Sequence, residues 1–455
     1  MAVEVTAIFD IGKTNKKFFL LDKDLNEIHR EYIRFDEIED DDGFMSENLE
    51  QLVGWIRETF NKVETNPEFN IKSLNFSTYG ASLVHLDENN DVVTPFYNYL
   101  KPLPKDLAEK FLELHGDKQQ FELVTASPFL GMLNSGLQLF YLKHKKQELF
   151  QKIRKSLHFP QYLSSLFSEK YVSDYTSLGC HTGLWDYNND RYAKWVTDDG
   201  FDKLLCPLVR ADSFYTKGKM RVGVGIHDSS SALIPYINAN NDPFVLISTG
   251  TWSITMNLFN QSLLSEDELN SDCLKFMSAQ GLSVKASRLF LGDHLRRTVK
   301  SLAKYFKEDY ESYKEVKWDP TLESKRESPK QLLFDHAILK PERYDFQNGN
   351  NSNFSLFNSY HEAVHYLFDE LTDLQIASLR LAIGNTKIKK VFIDGGFSSS
   401  EVFTKYLTRK LPEYDVYASS FPLGSTLGAA LMVNNRDLSE NFMEKVYDVI
   451  EVQKD

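Results

Sequence analysis

The sequence predicts an α/β protein made of two similar halves, and three observations carry that prediction. The segment VTAIFD, rich in apolar and β-branched residues, runs into a polar glycine turn, IGKTNK, and resumes as KFFLLD. The same shape returns from Asp242 as PFVLIS, TGTW and SITMNLF. After each unit, apolar runs of strand length alternate with helix-period stretches. At roughly 100–200 residues per domain, 455 residues suit two or three domains. The boundary is expected near residue 240, giving halves 1–240 and 241–455.

In order along the chain, LNEIHREYIRF reads as a third strand of the opening unit, and residues 47–63 as an amphipathic helix with Leu49, Leu52, Val53, Ile56 and Phe60 on one face. IKSLNFSTY is a buried strand ending at Gly80. LVHLD and VVTPFYNY are expected to form a hairpin closed by ENND. Helices are expected at 103–115, 136–150 and 160–169. Around Arg221–Pro235 a glycine-rich turn opens a small-residue helix. In the second half, 364–383 is a strong amphipathic helix and NGNNSN at 348–353 a loop. IKKVFIDGGFSSS is a strand ending in a glycine turn. VYAS, a loop, the small-residue helix STLGAALM and a polar tail close the chain.

Composition narrows the function. The net charge of −13 lacks the basic footprint that a nucleic-acid surface needs. No apolar run approaches the ~18 residues of a membrane span, and no signal peptide opens the chain. The three cysteines, Cys180, Cys206 and Cys273, fit neither a disulfide framework nor a zinc pattern. A cytoplasmic enzyme, monomer or homodimer, acting on a small molecule is the expectation.

Four turns can carry chemistry. Asp10-Ile11-Gly12-Lys13-Thr14-Asn15-Lys16-Lys17 ends a strand in a carboxylate and follows it with a glycine turn, which lets backbone N–H groups approach a phosphate. Asp10 suits Mg²⁺, which takes one or two carboxylates together with phosphate and water oxygens. The G-x-x-x-x-G-K-[ST] spacing of a Walker A loop is absent; a plain hairpin turn is the structural alternative. Ser248-Thr249-Gly250-Thr251-Trp252 is a second hydroxyl-rich glycine turn. In Gly225-Ile226-His227-Asp228-Ser229-Ser230-Ser231-Ala232 a carboxylate stands at a helix start, where capping competes with a role as proton acceptor. Asp394-Gly395-Gly396-Phe397 is a strand-to-helix turn whose paired glycines let a planar ring lie against the backbone.

Taken together in this order, the four turns resemble the FGGY family of carbohydrate kinases. That resemblance implies two actin-like, ribonuclease-H-like ATPase domains with a catalytic cleft between them. It implies ATP and Mg²⁺, with Gly12, Thr14, Asn15, Lys17, Gly250 and Thr251 at the phosphates, Gly395 and Gly396 at adenine and ribose, and Asp10 at the metal. Asp228 becomes the general base toward the sugar hydroxyl. Lys13 and Asn15 depart from the family's D-x-G-T-[TS]-[ST]-x-[KR] pattern. The His227-Asp228 pair and the GTW turn are similar to the rhamnulose and fuculose kinase branch. There Tyr79, Gly80 and His227 would meet the sugar, and Ser82 stands where an aspartate is usual.

The function expected is ATP-dependent phosphorylation of a ketose such as L-rhamnulose or L-fuculose. Xylulose, another pentulose or a polyol is the alternative substrate, and a non-catalytic sugar or nucleotide sensor the alternative class. The polar stretch 304–359 carries no interpretable motif.

Overall fold

The structure, a computed structural model, describes residues 2–322, 325–349, 354–419, 423–435 and 449–454. Part of the expected loop at 348–353 and most of the polar tail lie outside them.

The first sheet is built from β1 (Val3–Ile11), β2 (Lys16–Asp22) and β3 (Glu27–Ile33), then, beyond helix α1 (Leu49–Glu64), from β4 (Phe69–Thr78), β5 (Phe214–Lys217), β6 (Met220–Gly223) and β7 (Ile226–His227). Its order is β5–β6–β4–β1–β2–β3, with β7 also paired to β4. β1 is antiparallel to β2 and parallel to β4. Helix α2 (Asp228–Ala239) follows β7 directly.

The second sheet repeats the plan. It comprises β8 (Phe244–Thr249), β9 (Ser253–Asn257), β10 (Cys273–Met277) and β11 (Ser283–Leu289). Past helices α3 (Leu291–Phe306) and α4 (Tyr360–Ile383) come β12 (Lys390–Gly395), helix α5 (Glu401–Lys410), β13 (Asp415–Ser419), helix α6 (Gly424–Asn434) and β14 (Val449–Glu451). The order is β10–β11–β9–β8–β12–β13–β14. Here β8 is antiparallel to β9 and parallel to β12, as β1 is to β2 and β4. The duplication expected from element order is therefore present in strand pairing.

Successive side chains of a strand point to opposite faces, and both faces of the opening hairpin are used. Phe9, Phe18 and Phe76 pack with Leu52 and Ile56 of α1. Ile8, Phe19 and Leu21 face the other way, into a core shared with Leu246 and Phe392 of the second sheet, Leu233 of α2 and Leu427 of α6. The second sheet's remaining face packs on α3, α4 and α5.

Helix α6 belongs to the second half by sequence, yet it hydrogen-bonds to the first sheet. Asn75 Nδ2 donates to Ala429 O (2.8 Å) and Ser73 Oγ to Asn434 Oδ1 (2.7 Å). It also crosses α2 so closely that a Cβ on Gly428 would lie 1.9 Å from Ser231 O. That approach explains the run of small residues in STLGAALM.

Two local expectations change. The strand Leu83–Leu86 pairs with Lys155–His158, and the expected hairpin reduces to one bridge between Leu86 and Val92. Pro95 lacks the N–H that a continuing ladder requires. The helix expected over 136–150 breaks at Lys146, leaving Gly136–Lys145 and Gln147–Phe150.

Candidate active site

The parallel strands β1, β4 and β7 end at one edge of the first sheet, where α/β proteins bind ligands. Asp10 pairs with Ser77 of β4, and Ile226 pairs with Ser77 from the other side. Asp10 and Asp228 thus lie on either side of β4, close enough for the Asp228 charge to act on Asp10. Asp228 is the first residue of α2, and its Oδ1 accepts from Ser229 N (2.6 Å) and Ser229 Oγ (3.2 Å). Burial pushes its carboxyl up to about 6, against the pull of those bonds and of Lys17. A third of the side chain, 34%, stays exposed, so the group is reachable.

Asp10 is cross-strand from Lys17, whose Nζ lies 3.4 Å from Asp10 Oδ2. The same oxygen accepts from Ser425 Oγ (3.1 Å), brought across by α6. Burial raises the Asp10 carboxyl, Lys17 lowers it and Asp228 raises it further.

Opposite lies the corresponding edge of the second sheet. Asp394 of β12 is buried, and its carboxyl is pushed up to about 7 by that burial. A cavity of about 210 Å³ has Asp228 and Ser229 on one wall and Ser248, Asp394, Gly395 and Ser425 on the other. A neighbouring cavity of about 300 Å³ runs past Gly250 and Thr251 to Gly396 and Phe397, with Leu295, Tyr310, Tyr313 and Phe368 around it.

The glycines of the last turn differ in kind. Gly395 has φ +84° and a Cβ there would meet Thr249 O at 1.9 Å, whereas Gly396 faces open space. Thr249 fixes the turn: its Oγ1 donates to Asp394 O and accepts from Phe397 N (3.0 Å). The two phosphate-type turns close alike, Gly12 N on Asn15 O (2.9 Å) and Gly250 N on Trp252 O (2.8 Å).

The fold therefore gathers Asp228 and Gly395 around one cavity, with Asp10 bonded to Ser425 of its wall and to Lys17 behind, and Gly250, Thr251 and Gly396 around the next. Thr14 is exposed at its turn, and Asn15 Oδ1 accepts from Arg34 Nε (2.7 Å). His227 is buried, with Nε2 at 3.2 Å from Asp228 Oδ1 and 3.1 Å from Cys180 Sγ. Gly80 abuts this corner, since a Cβ there would lie 2.5 Å from Cys180 Sγ. Tyr79 turns elsewhere: it is buried and its hydroxyl donates to Glu47 Oε2 (2.5 Å). Ser82 is buried too, its hydroxyl without a protein partner.

Sequence reasoning passed over several groups at the site. Tyr99, in the FYNYLKP stretch, is pushed up to about 12 by burial, with the Asp228 carboxylate and the Cys180 thiol adding to the shift. Cys180, buried, sets its Sγ 3.1 Å from His227 Nε2, and Asp394 lines the smaller cavity itself. Tyr310 and Tyr313 belong to the polar stretch 304–359, whose short 3₁₀ turn Tyr310–Glu315 forms part of the second cavity's wall.

Comparison with known proteins agrees with this geometry. Residues 5–220 match the N-terminal domain of the FGGY family of carbohydrate kinases.

The first half of the chain is an FGGY carbohydrate-kinase domain.

Among curated relatives, the rhamnulokinase of Halalkalibacterium halodurans is 25% identical over 260 residues, 54% of this chain and 52% of the relative. The gluconokinase of Bacillus subtilis is 24% identical over 204 residues, 43% of this chain and 39% of the relative. The chain spans about half or less of the curated relatives it matches. Solved structures extend the likeness of fold to the whole chain. A carbohydrate kinase from Novosphingobium aromaticivorans superposes with TM-score 0.78 at 20% identity, covering 100% of this chain and 95% of that one. The Plasmodium falciparum glycerol kinase with ADP gives 0.74 at 14% identity, covering 100% and 95%. The chain has the two-domain actin-like fold of these neighbours.

Proposed function

We propose that this chain transfers the γ-phosphoryl group of ATP to a hydroxyl of a small sugar, with Asp228 as general base. One observation carries the reading. A partly exposed carboxylate from the first half shares a cavity with a glycine turn and a buried carboxylate from the second. Phosphoryl transfer is catalysed by positioning and electrostatics, and it needs an acceptor for the proton of the attacking hydroxyl. Asp228 is held high enough for proton transfer near neutral pH and is ionised above about 6.

The adenine and ribose fit the cavity of about 300 Å³, where Gly396 offers backbone without a side chain and Tyr310, Tyr313 and Phe368 offer apolar walls. Phosphates extend from there past Gly250 and Thr251 toward Gly12, Thr14 and Lys17. Asp10 and Asp394, both buried carboxylates near the smaller cavity, are the oxygen donors a hard divalent cation prefers. Mg²⁺ bound there would offset phosphate charge. Lys17 orients Asp10 and faces the developing charge. Closing the halves excludes water as a competing acceptor.

For the sugar, the His227-Asp228 pair and the GTW turn favour a six-carbon deoxy-ketose, L-rhamnulose or L-fuculose, over xylulose, gluconate or a polyol. Sugar contacts come from His227, Gly80 and the missed Tyr99, while Tyr79 acts from behind. The test is ADP release by the purified protein across a panel of ketoses, aldonic acids and polyols. Saturable, sugar-dependent release supports the kinase. Nucleotide binding without release on any sugar favours the sensor.

A further inference from the structure

The opening turn is followed by two adjacent lysines, and the fold gives them different tasks. Neighbouring lysines at the start of β2 point to opposite faces. Lys17 faces Asp10. Lys16 goes underneath, and its ammonium is almost wholly withdrawn from water, with 4% of the side chain exposed. A buried ammonium is retained only where its charge and its N–H groups find partners. Those partners are Gly12 O (3.2 Å) and Lys13 O (3.0 Å) for two N–H groups and Glu47 Oε1 (2.5 Å) for the charge, an ion pair without a directed hydrogen bond. Two of them are carbonyls of the phosphate turn itself. Glu47 is equally buried, and its other oxygen takes the Tyr79 hydroxyl at 2.5 Å.

Tyr79 leaves the end of β4, its N–H bonded to Ile11 O (3.1 Å). The next residue is Gly80, packed against Cys180 and His227 with no room for a side chain. The ring of Tyr79 lies edge-on to Tyr99 at 5.9 Å. A single buried chain of contacts therefore runs from the phosphate turn, through Lys16, Glu47 and Tyr79, to the corner that holds Asp228.

We propose that Lys16, Glu47 and Tyr79 form a positioning brace that sets the Gly12–Asn15 turn and transmits sugar occupancy at the Gly80–His227 corner to it. None of the three touches a reacting atom. The sugar-transmission part rests on the kinase reading. The setting of the turn does not.

The test measures hydrogen exchange of the amides of residues 12–17, with and without the best-phosphorylated sugar, in wild type, Glu47→Gln, Tyr79→Phe and Lys16→Arg. In Glu47→Gln the turn amides are expected to exchange about tenfold faster, the effect of leaving a buried ammonium without its counter-charge. Sugar is expected to slow them in wild type and to lose that effect in Tyr79→Phe, a change conservative enough to keep the fold. Lys16→Arg, which keeps charge and donors, should stay nearer wild type than Glu47→Gln. Titration of a non-hydrolysable ATP analogue gives a second readout: sugar should tighten nucleotide binding in wild type and do so less in Tyr79→Phe. Unchanged turn exchange in folded Glu47→Gln, or an undiminished sugar effect in Tyr79→Phe, overturns the brace. A wild type that releases no ADP with any sugar defeats the kinase reading, while the unliganded exchange comparison still decides whether the turn is braced.

Discussion

Nε2 of His227 lies 3.2 Å from Oδ1 of Asp228, and the bonds around the ring fix which of the two carries a proton. Ser230 Oγ donates to Met277 O (3.2 Å), so it accepts from His227 Nδ1 (3.2 Å). Burial holds the imidazole neutral down to about pH 4. Its Nε2 is then a lone-pair acceptor, able to take a hydrogen bond from the protonated form of Asp228 and not from the carboxylate.

The first prediction concerns pH. Asp228 accepts a proton only when ionised, and its carboxyl is pushed up to about 6 by burial. Sugar phosphorylation should therefore rise as pH increases through about 6 and level off above it. Replacing His227 by Phe removes the acceptor that favours the protonated acid, which should move the rise to lower pH. Initial rates of ADP release between pH 5 and 8 check both.

Asp228→Asn should lower turnover by ~10²–10⁴-fold, the usual contribution of a positioned base. Binding of an ATP analogue, proposed to draw on Gly250, Thr251 and Gly396, should change little. Near-normal turnover would remove Asp228 from its role.

The two glycines of the β12 turn should respond oppositely. Gly395→Ala meets Thr249 O and a left-handed φ, and should destabilise by more than about 1 kcal/mol. Gly396→Leu has room, so the fold should hold while the side chain fills the cavity proposed for the nucleotide and weakens ATP. Thermal unfolding and nucleotide titration separate the two effects.

Gly428→Ala should loosen the crossing of α6 with α2, because the added methyl runs into Ser231 O. Helix α2 begins with Asp228 and α6 carries Ser425, the donor to Asp10. Melting temperature and turnover should fall together, read by calorimetry and ADP release on the same sample.

His158 is buried with neither ring nitrogen bonded to protein, and burial lowers its pKa from 6.5 to about 4. The unfolded chain takes up this proton first as pH falls, so the stability this group contributes is present above 6.5 and is lost toward pH 4. The loss amounts to about 3 kcal/mol at pH 4. In His158→Leu that part of the slope should vanish, as denaturant midpoints between pH 4 and 7 would record.

The sequence by itself determined the repeated plan and the turns. Strand periodicity, glycine and carboxylate fall together in short stretches, and the bonds that close such turns are local. Gly12, Gly250, Asp228 and Gly395 are legible for that reason. Tertiary structure alone decided what meets across the cleft. Lys16 and Lys17 are adjacent and chemically alike, and only the pleat of β2 and the position of Glu47 send one beneath the turn and the other to Asp10. The family resemblance puts Tyr79 at the sugar, and only the tertiary structure shows its hydroxyl bonded to Glu47. Ser425 reaches Asp10 only because a helix from the end of the chain packs on the first sheet. Such pairings depend on contacts tens to hundreds of residues apart in sequence, and burial, which raises Asp228 and Asp394, exists only once such contacts have closed over them.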